Sequence, residues 1–297
     1  MIFFRWKTAA GAARPEPVRE HSATLVAIAK NEARYIVEWL AFHLALGFGR
    51  IVVYDNDSSD GTAAILDTIA ARDSRVVRVA WPSPSNASPQ IAAYTHAVRR
   101  VTTPWTMILD IDEFLVPFGY EDLTGLIQSV PEDVASLHVN WLGFGSGGRT
   151  DPGYELVTRT FTRCSERAWG NHHHFKTLAR TDRITEVLIH DILTSSGRRV
   201  LTDFEAFTKG NVGASDRVVY GGVQINHYQA KTLAEFQARM RRGDANYPLG
   251  HPSRQRDDSA DRFAQLDRNE AEDLKIRAFE APFEAQYQRL RAILRRA

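Results

Sequence analysis

Apolar and polar positions fall into short alternating blocks through the first 115 residues. Thr24-Leu-Val-Ala-Ile-Ala29 is an apolar run with β-branched members, the form of a strand covered on both faces, and it stops at Lys30-Asn31-Glu32. Tyr35, Ile36, Trp39, Leu40, His43 and Leu44 then recur at three- and four-residue steps, which predicts a helix with Asn31 to cap it and Gly47 to end it. Arg50-Ile-Val-Val-Tyr54 reads as a second strand, the polar run Asp55 to Thr62 as a turn, and Ile65, Leu66 and Ile69 as a short helix. Val76 to Trp81 makes a third strand, Ile91, Tyr94, Val98 and Val101 a third helical stripe, and Trp105-Thr-Met-Ile-Leu109 a fourth strand. This alternation predicts an α/β fold: a mostly parallel sheet with helices on both faces, whose ligands sit at the carboxyl ends of the strands.

Beyond residue 120 the rhythm changes. Strands are expected at 135–141, 156–161 and 175–180, and helices at 232–242 and 270–295. Residues 1–21, ending in Arg14-Pro15-Glu16-Pro17, read as a flexible lead-in, 22–245 as the main domain, and 246–297 as a C-terminal helical extension. Its tail from Arg277 sets arginines beside Leu290, Ile293 and Leu294, an amphipathic helix suited to packing on the core or, alternatively, to resting on an anionic membrane surface.

The 297 residues are 43% hydrophobic and 25% charged, enough for a sizeable core. A net charge of +1 denies the chain the global field of bulk nucleic-acid binders, so no nucleic-acid partner is expected. The single cysteine, Cys164, excludes an internal disulfide and a thiolate metal cage. Ile2-Phe3-Phe4 is cut short by Arg5 and Lys7, and no run reaches the roughly 18 apolar residues of a membrane span. The expected location is cytoplasmic, with peripheral contact at the inner membrane face as an accompanying possibility.

Three of the strands empty into polar residues: Lys30-Asn31-Glu32, Asp55-Asn56-Asp57 and Asp110-Ile111-Asp112-Glu113. In a doubly wound sheet these tips share one rim. Asp110 and Asp112, two positions apart at an extended strand end, point the same way and bracket one hard cation. Such a triplet at a surface turn is often just two solvated carboxylates. Here Leu109 precedes it and Phe114-Leu-Val116 follows, so like charges in a buried approach call for a neutralising ion.

Val26-Ala-Ile-Ala-Lys-Asn-Glu32, Tyr54 to Thr62 and Leu109-Asp-Ile-Asp-Glu-Phe-Leu115 together resemble the successive motifs of GT-A-fold glycosyltransferases, in the branch like families 2 and 92. Trp141-Leu-Gly-Phe-Gly-Ser146, Phe175-Lys176 and Asn226-His-Tyr-Gln-Ala-Lys231 continue the likeness, which spans residues 24–243. The resemblance implies a GT-A sheet and a transfer of sugar from a nucleoside-diphosphate sugar, most simply a UDP-sugar, to a hydroxyl of a glycan or lipid-linked glycan, with inversion. It also implies a divalent cation, Mn2+ or Mg2+, held by Asp110, Asp112 and His227, with Glu113 behind them. By the same likeness Asn31, Glu32, Asp55, Asn56, Gln90, Asp110 and Ile111 hold the nucleotide sugar, and Tyr94 stands beside Gln90.

Around that centre, Trp141, Gly143, Gly145 and Ser146 read as a sugar or acceptor loop, because aromatic faces pack on sugar rings and glycines admit close approach. Lys176 reads either as a point charge for a phosphate oxygen or as a surface lysine. Consecutive His172, His173 and His174 alternate faces on a strand and cannot share an ion. Asp151 or Glu155, just after the glycine loop, is the expected base for the acceptor hydroxyl. Two other readings accommodate the same residues: a metal-assisted phosphoester hydrolase, and a nucleotide- or sugar-binding module without turnover.

Overall fold

The computed structural model describes residues 22–83, 86–208 and 213–296; the expected lead-in of residues 1–21 lies outside them. The chain runs β1 (Ala23–Ala29), α1 (Ile36–Leu46), β2 (Arg50–Asp55), α2 (Thr62–Ala70), β3 (Val76–Ala80), α3 (Pro89–Val98), β4 (Trp105–Ile108), β5 (Glu113–Val116), α4 (Leu123–Ser129) and β6 (Val134–Gly143). It continues through α5 (Val157–Thr160), β7 (Arg163–Cys164), β8 (Phe175–Arg180), β9 (Ile184–Val187), β10 (Ile192–Thr194), β11 (Arg198–Leu201) and β12 (Gln224–His227). Last come α6 (Leu233–Arg241), α7 (Ala260–Leu266), β13 (Ala271–Glu272) and α8 (Glu280–Arg295).

The main sheet has the order β3-β2-β1-β4-β8-β6-β12-β5, with β11 also on β6. Strands β3, β2, β1 and β4 are parallel, as the apolar runs predict for strands covered on both faces. The other half is mixed: β8 is antiparallel to β4 and to β6, β12 is parallel to β6, and β5 is antiparallel to β12. All ten residues of β6 are buried, and it divides one edge between β11, beside Val134–His138, and β12, beside Trp141–Gly143.

Helices cover both faces. On one, Phe42 of α1 meets Phe114, Phe279 and Phe283 at ring-centroid separations of 5.4, 6.2 and 6.1 Å, in one cluster with Trp39. On the other, Ala93, Tyr94 and Ala97 of α3 pack over Val26, Val52 and Ile108. Gly47 ends α1 in the left-handed region at φ 111°, as expected, whereas Asn31 does not cap it. The helix starts only after Tyr35, and Asn31, itself left-handed at φ 54°, belongs to the strand-tip loop.

The segment expected as a strand at 156–161 is instead the helical turn α5. Glu38 of α1 decides this, because its buried carboxylate accepts from Val157 N at 2.8 Å, Thr158 N at 2.9 Å and Thr158 Oγ1 at 2.8 Å. Orphan N–H groups at a helix start find their acceptors there, an outcome that local β propensity does not report. Helix α8 spends its apolar stripe on the core through Phe283, Tyr287 and Leu290. Among the described residues no helix is long and apolar enough to cross a membrane.

Candidate active site

The first two strand tips are laced to each other. Ser59 N donates to Asn31 Oδ1 at 2.8 Å, Asn31 N to Ser58 Oγ at 3.0 Å, Glu32 N to Thr62 Oγ1 at 2.8 Å and Ala33 N to Asp60 Oδ2 at 2.9 Å. Asn56 N reaches Ala29 O at 2.7 Å and its side-chain amide reaches Trp81 O at 2.8 Å. Asp55 Oδ2 is held by Arg78 at 3.0 Å. Polar turn residues thus satisfy the backbone where two parallel strands stop.

Between β4 and β5 the chain makes the tight turn Asp110-Ile111-Asp112 and crosses to the far side of the sheet. Lys176, fully enclosed on β8, sits under it, with Nζ 2.8 Å from Asp110 Oδ2 and 3.2 Å from Glu113 Oε2. Glu113 Oε2 also accepts from Asp110 N at 2.9 Å. Burial raises the Asp110 carboxyl, but the Lys176 charge outweighs it and leaves the group below its ordinary range. Glu113, with no solvent contact, is pushed up by burial to about 8 against the pull of Lys176. Gln90 Nε2 and the Tyr94 hydroxyl approach Asp110 Oδ1 at 3.4 and 3.3 Å.

Asp112 stands one step further along. Its Oδ2 accepts from Arg239 Nη1 of α6 at 2.9 Å and lies 3.7 Å from His227 Nε2 at the end of β12. Burial raises this carboxyl, but His227, Arg239 and Lys231 overcome that and hold it well below the ordinary value. Backbone fixes the turn, since Tyr228 N donates to Asp112 O at 2.9 Å. The Trp141 ring, from the end of β6, lies 4.3 Å from His227, 5.0 Å from His174 and 5.2 Å from His190 between centroids. Trp141 Nε1, His190 Nδ1, His227 Nδ1 and Arg239 Nε are buried without a hydrogen-bond partner. Such atoms each carry a desolvation cost that a polar ligand would relieve.

These groups face one cavity of about 480 Å³ at the carboxyl ends of β1, β2 and β4. It is lined by the acids Glu32, Asp110, Asp112 and Asp257 and by an arginine wall of Arg239, Arg242, Arg254, Arg256 and Arg262, with Asp112 paired to Arg239 and Glu32 to Arg242. Among the described residues no three of His, Cys, Asp or Glu close into a complete ion cage. Asp112 Oδ2 and His227 Nε2 nevertheless lie 3.7 Å apart on the cavity lining.

Residues 26–247 match glycosyltransferase family 92. The chain belongs to glycosyltransferase family 92. Family 92 proteins similar to it include Os08g0121900 of Oryza sativa subsp. japonica, 28% identical over 251 residues, covering 79% of this chain and 39% of that one. Another is At1g27200 of Arabidopsis thaliana, 25% identical over 264 residues, covering 83% and 42%. The chain therefore spans about two fifths of the length of the curated relatives it matches. Among solved structures, S. aureus TarS 1-349 aligns at 17% identity with a TM-score of 0.38, over 74% of this chain and 63% of that one. The mannosyltransferase PcManGT from Pyrobaculum calidifontis, in complex with GDP-Man and Mn2+, aligns at 19% with a TM-score of 0.33, over 44% and 38%. At such scores no residue role is carried from either.

For this family 92 chain the cavity gathers Glu32, Asn56, Gln90, Asp110, Ile111, Asp112, Trp141 and His227 from the residues expected at the site. Asn31 and Asp55 do not line it; their side chains are consumed in fastening the strand tips. Gly143 and Gly145 are packing glycines, because a Cβ at the first would run into the Trp169 ring and at the second into the Arg268 carbonyl. Ser146 Oγ donates to Asp267 at 2.9 Å, away from the cavity. Lys176 is a buried counter-ion of Asp110 and Glu113 and does not line the cavity. The expected bases also lie outside. Asp151 and Glu155 have side chains 72% and 68% exposed and pair with Arg149 and Arg291.

Sequence reasoning missed His190, Asn246, Arg254, Arg256 and Arg262, all cavity residues. The expected domain boundary at 245 runs through this wall, which continues to Leu266. A usable signal was present in Arg239 and Arg242, three apart on one face of a helix opened by the Thr232/Glu235 capping box.

Proposed function

We propose that this chain is the catalytic domain of a metal-dependent glycosyltransferase that moves a sugar from a nucleoside-diphosphate sugar, UDP-linked in the simplest case, to a hydroxyl of a glycan or lipid-linked glycan with inversion. The observation that carries the reading is one cavity at the strand tips lined both by the Asp110-Ile111-Asp112 turn and by five guanidiniums. The amides of Gln90 and Asn246, the latter with its Oδ1 buried and unpartnered, offer donors and acceptors to a nucleoside. The arginine wall suits phosphate oxygens, which planar guanidiniums meet in paired hydrogen bonds. Trp141 presents an indole edge and face to a sugar ring.

Asp112 and His227 are the residues that would hold a divalent cation, whose charge would stabilise the departing diphosphate. Asp110, pinned by Lys176, keeps the turn in place for them. His190 is the group placed to accept the acceptor hydroxyl's proton. It lines the cavity and Nδ1 has no partner; burial with the Lys176 charge lowers its pKa to about 3, which keeps the ring neutral but makes it a weak base until bound negative charge raises that value. A cytoplasmic location, with the arginine-bearing outer face of α8 against a membrane, belongs to the same proposal. Liposome co-sedimentation of the full chain checks the membrane part.

The test is turnover of a panel of nucleoside-diphosphate sugars with Mn2+ and Mg2+. Transfer or donor hydrolysis that vanishes in Asp112→Asn, with the ligand-free melting temperature retained, supports the proposal and rules out a passive binding module. Release of inorganic phosphate without sugar transfer points to the hydrolase.

A further inference from the structure

The carboxylate that the proposed function gives to a metal ion already holds a cation of the chain's own. Arg239 Nη1 is 2.9 Å from Asp112 Oδ2, the same oxygen that lies 3.7 Å from His227 Nε2. The guanidinium is only partly bonded, because Nε is buried with no partner. Arg242 and Arg256 line the same cavity and their charges oppose that of Arg239. Each of the three is balanced by one carboxylate: Arg239 by Asp112, Arg242 by Glu32 at 2.6 Å, and Arg256 by Asp244 at 3.0 Å. Arg254 and Arg262, in the same wall, make no salt bridge among the described residues; their contacts are to Tyr247 O and Gln265 Oε1, and Arg262 acts on Asp257 through its charge alone. The wall therefore carries more guanidiniums than paired carboxylates, and an anion arriving beside Asp112 meets in Arg239 a guanidinium with one buried N–H still unbonded.

We propose that Arg239 is an exchangeable counter-ion. Resting on the reading of the cavity as a nucleotide-sugar site, the exchange runs as follows: without ligand Arg239 neutralises Asp112, and when a diphosphate enters, the guanidinium passes to a phosphate oxygen and frees Asp112 Oδ2 for the divalent ion. Charge balances on both sides, since the buried carboxylate is never left without a cation and the incoming anion gains one. Only a side chain has to move. The backbone of α6 is fixed by the Thr232/Glu235 capping box and by Phe236 and Met240 in a small apolar cluster with Leu266. Arg239 thus competes with the metal and cooperates with the phosphate, so its removal changes the two affinities in opposite directions. A residue that merely supported the fold would weaken both together.

The experiment uses Arg239→Met, which keeps the apolar stem and removes the charge, in the full chain. MnCl2 alone and pyrophosphate alone are titrated by calorimetry, with the ligand-free melting temperature as the check on folding. Mn2+ binding is expected to tighten and pyrophosphate binding to weaken, each on the order of tenfold, within the usual span of site-to-site coupling. Arg239→Lys should return both towards wild type, and Asp112→Asn added to Arg239→Met should abolish the Mn2+ gain. If Arg239→Met does not fold, Arg239→Gln carries the same two signs. Unchanged or weaker Mn2+ binding in a folded variant overturns the exchange. Opposite shifts in a chain that turns over no nucleotide sugar keep the exchange and remove glycosyl transfer; turnover without those shifts does the reverse.

Discussion

Replacing Lys176 by methionine isolates the electrostatics beneath the acidic turn. The ammonium is 1% exposed and bridges Asp110 Oδ2 at 2.8 Å and Glu113 Oε2 at 3.2 Å, while Glu113 Oε1 has no partner at all. Methionine preserves most of the buried stem, so the loss is one of charge more than of packing. Removing one member of a buried ion pair costs about 3–5 kcal/mol, because the other charge stays behind. At about 2 °C per kcal/mol for a chain of this size, the melting temperature near pH 8 should fall by roughly 6–10 °C. The pH dependence supplies the sharper check. Burial raises Glu113 from 4.5 to about 8, so between those values the folded chain keeps a proton that the unfolded chain releases, and this group's contribution to stability declines as pH rises. Without Lys176 only the Asp110 N–H opposes the burial, and the group's folded pKa rises further. The deficit of Lys176→Met should therefore shrink near pH 5.5, where a protonated carboxyl needs no counter-charge. Differential scanning fluorimetry of wild type and variant at the two pH values measures it. Equal deficits at both, or a drop under about 2 °C at the higher pH, would refute the reasoning.

Other outcomes follow from particular contacts. Gly143→Ala should destabilise by about 1–3 kcal/mol in denaturant titration, because its Cβ would meet the Trp169 ring, which is itself packed against His172. Glu38→Ala should cost at least about 2 kcal/mol by the same assay, since it strands two buried N–H groups and a hydroxyl at the start of α5. Asp151→Asn and Glu155→Gln should leave turnover within about twofold of wild type, as neither side chain reaches the cavity. His190→Ala, in contrast, should lower kcat by on the order of a hundredfold or more with little change in donor affinity, read from initial rates and donor titration.

The parallel half of the sheet was legible because each strand there is a short apolar run closed by a polar tip, and both features are local. The acidic turn was legible for the same reason: Asp110, Asp112 and the apolar residues around them are neighbours in sequence. What escaped depends on distant partners. The turn at Val157–Thr160 exists because Glu38, some 120 residues earlier, binds its N–H groups, and Asn31 is drawn from capping into the loop by Ser58 and Ser59. Lys176 looked like a phosphate ligand because its burial beneath Asp110 follows only from β8 pairing with β4 and β6. The glycines after Trp141 carried a packing constraint set by Trp169 and Arg268, which no spacing within the loop encodes. The arginine wall was hidden by a boundary drawn at 245, since loops and a short helix beyond it have no periodicity to tie them to the sheet.

The central claim is that Asp112 and His227 together hold a divalent ion against a nucleoside diphosphate in this cavity. Anomalous diffraction at the manganese edge from crystals grown with MnCl2 and UDP addresses it directly. The account predicts one strong peak within bonding distance of Asp112 and His227, with the diphosphate between it and the arginine wall. A nucleotide bound in the cavity with the metal peak elsewhere, or a peak coordinated by neither residue, would contradict it.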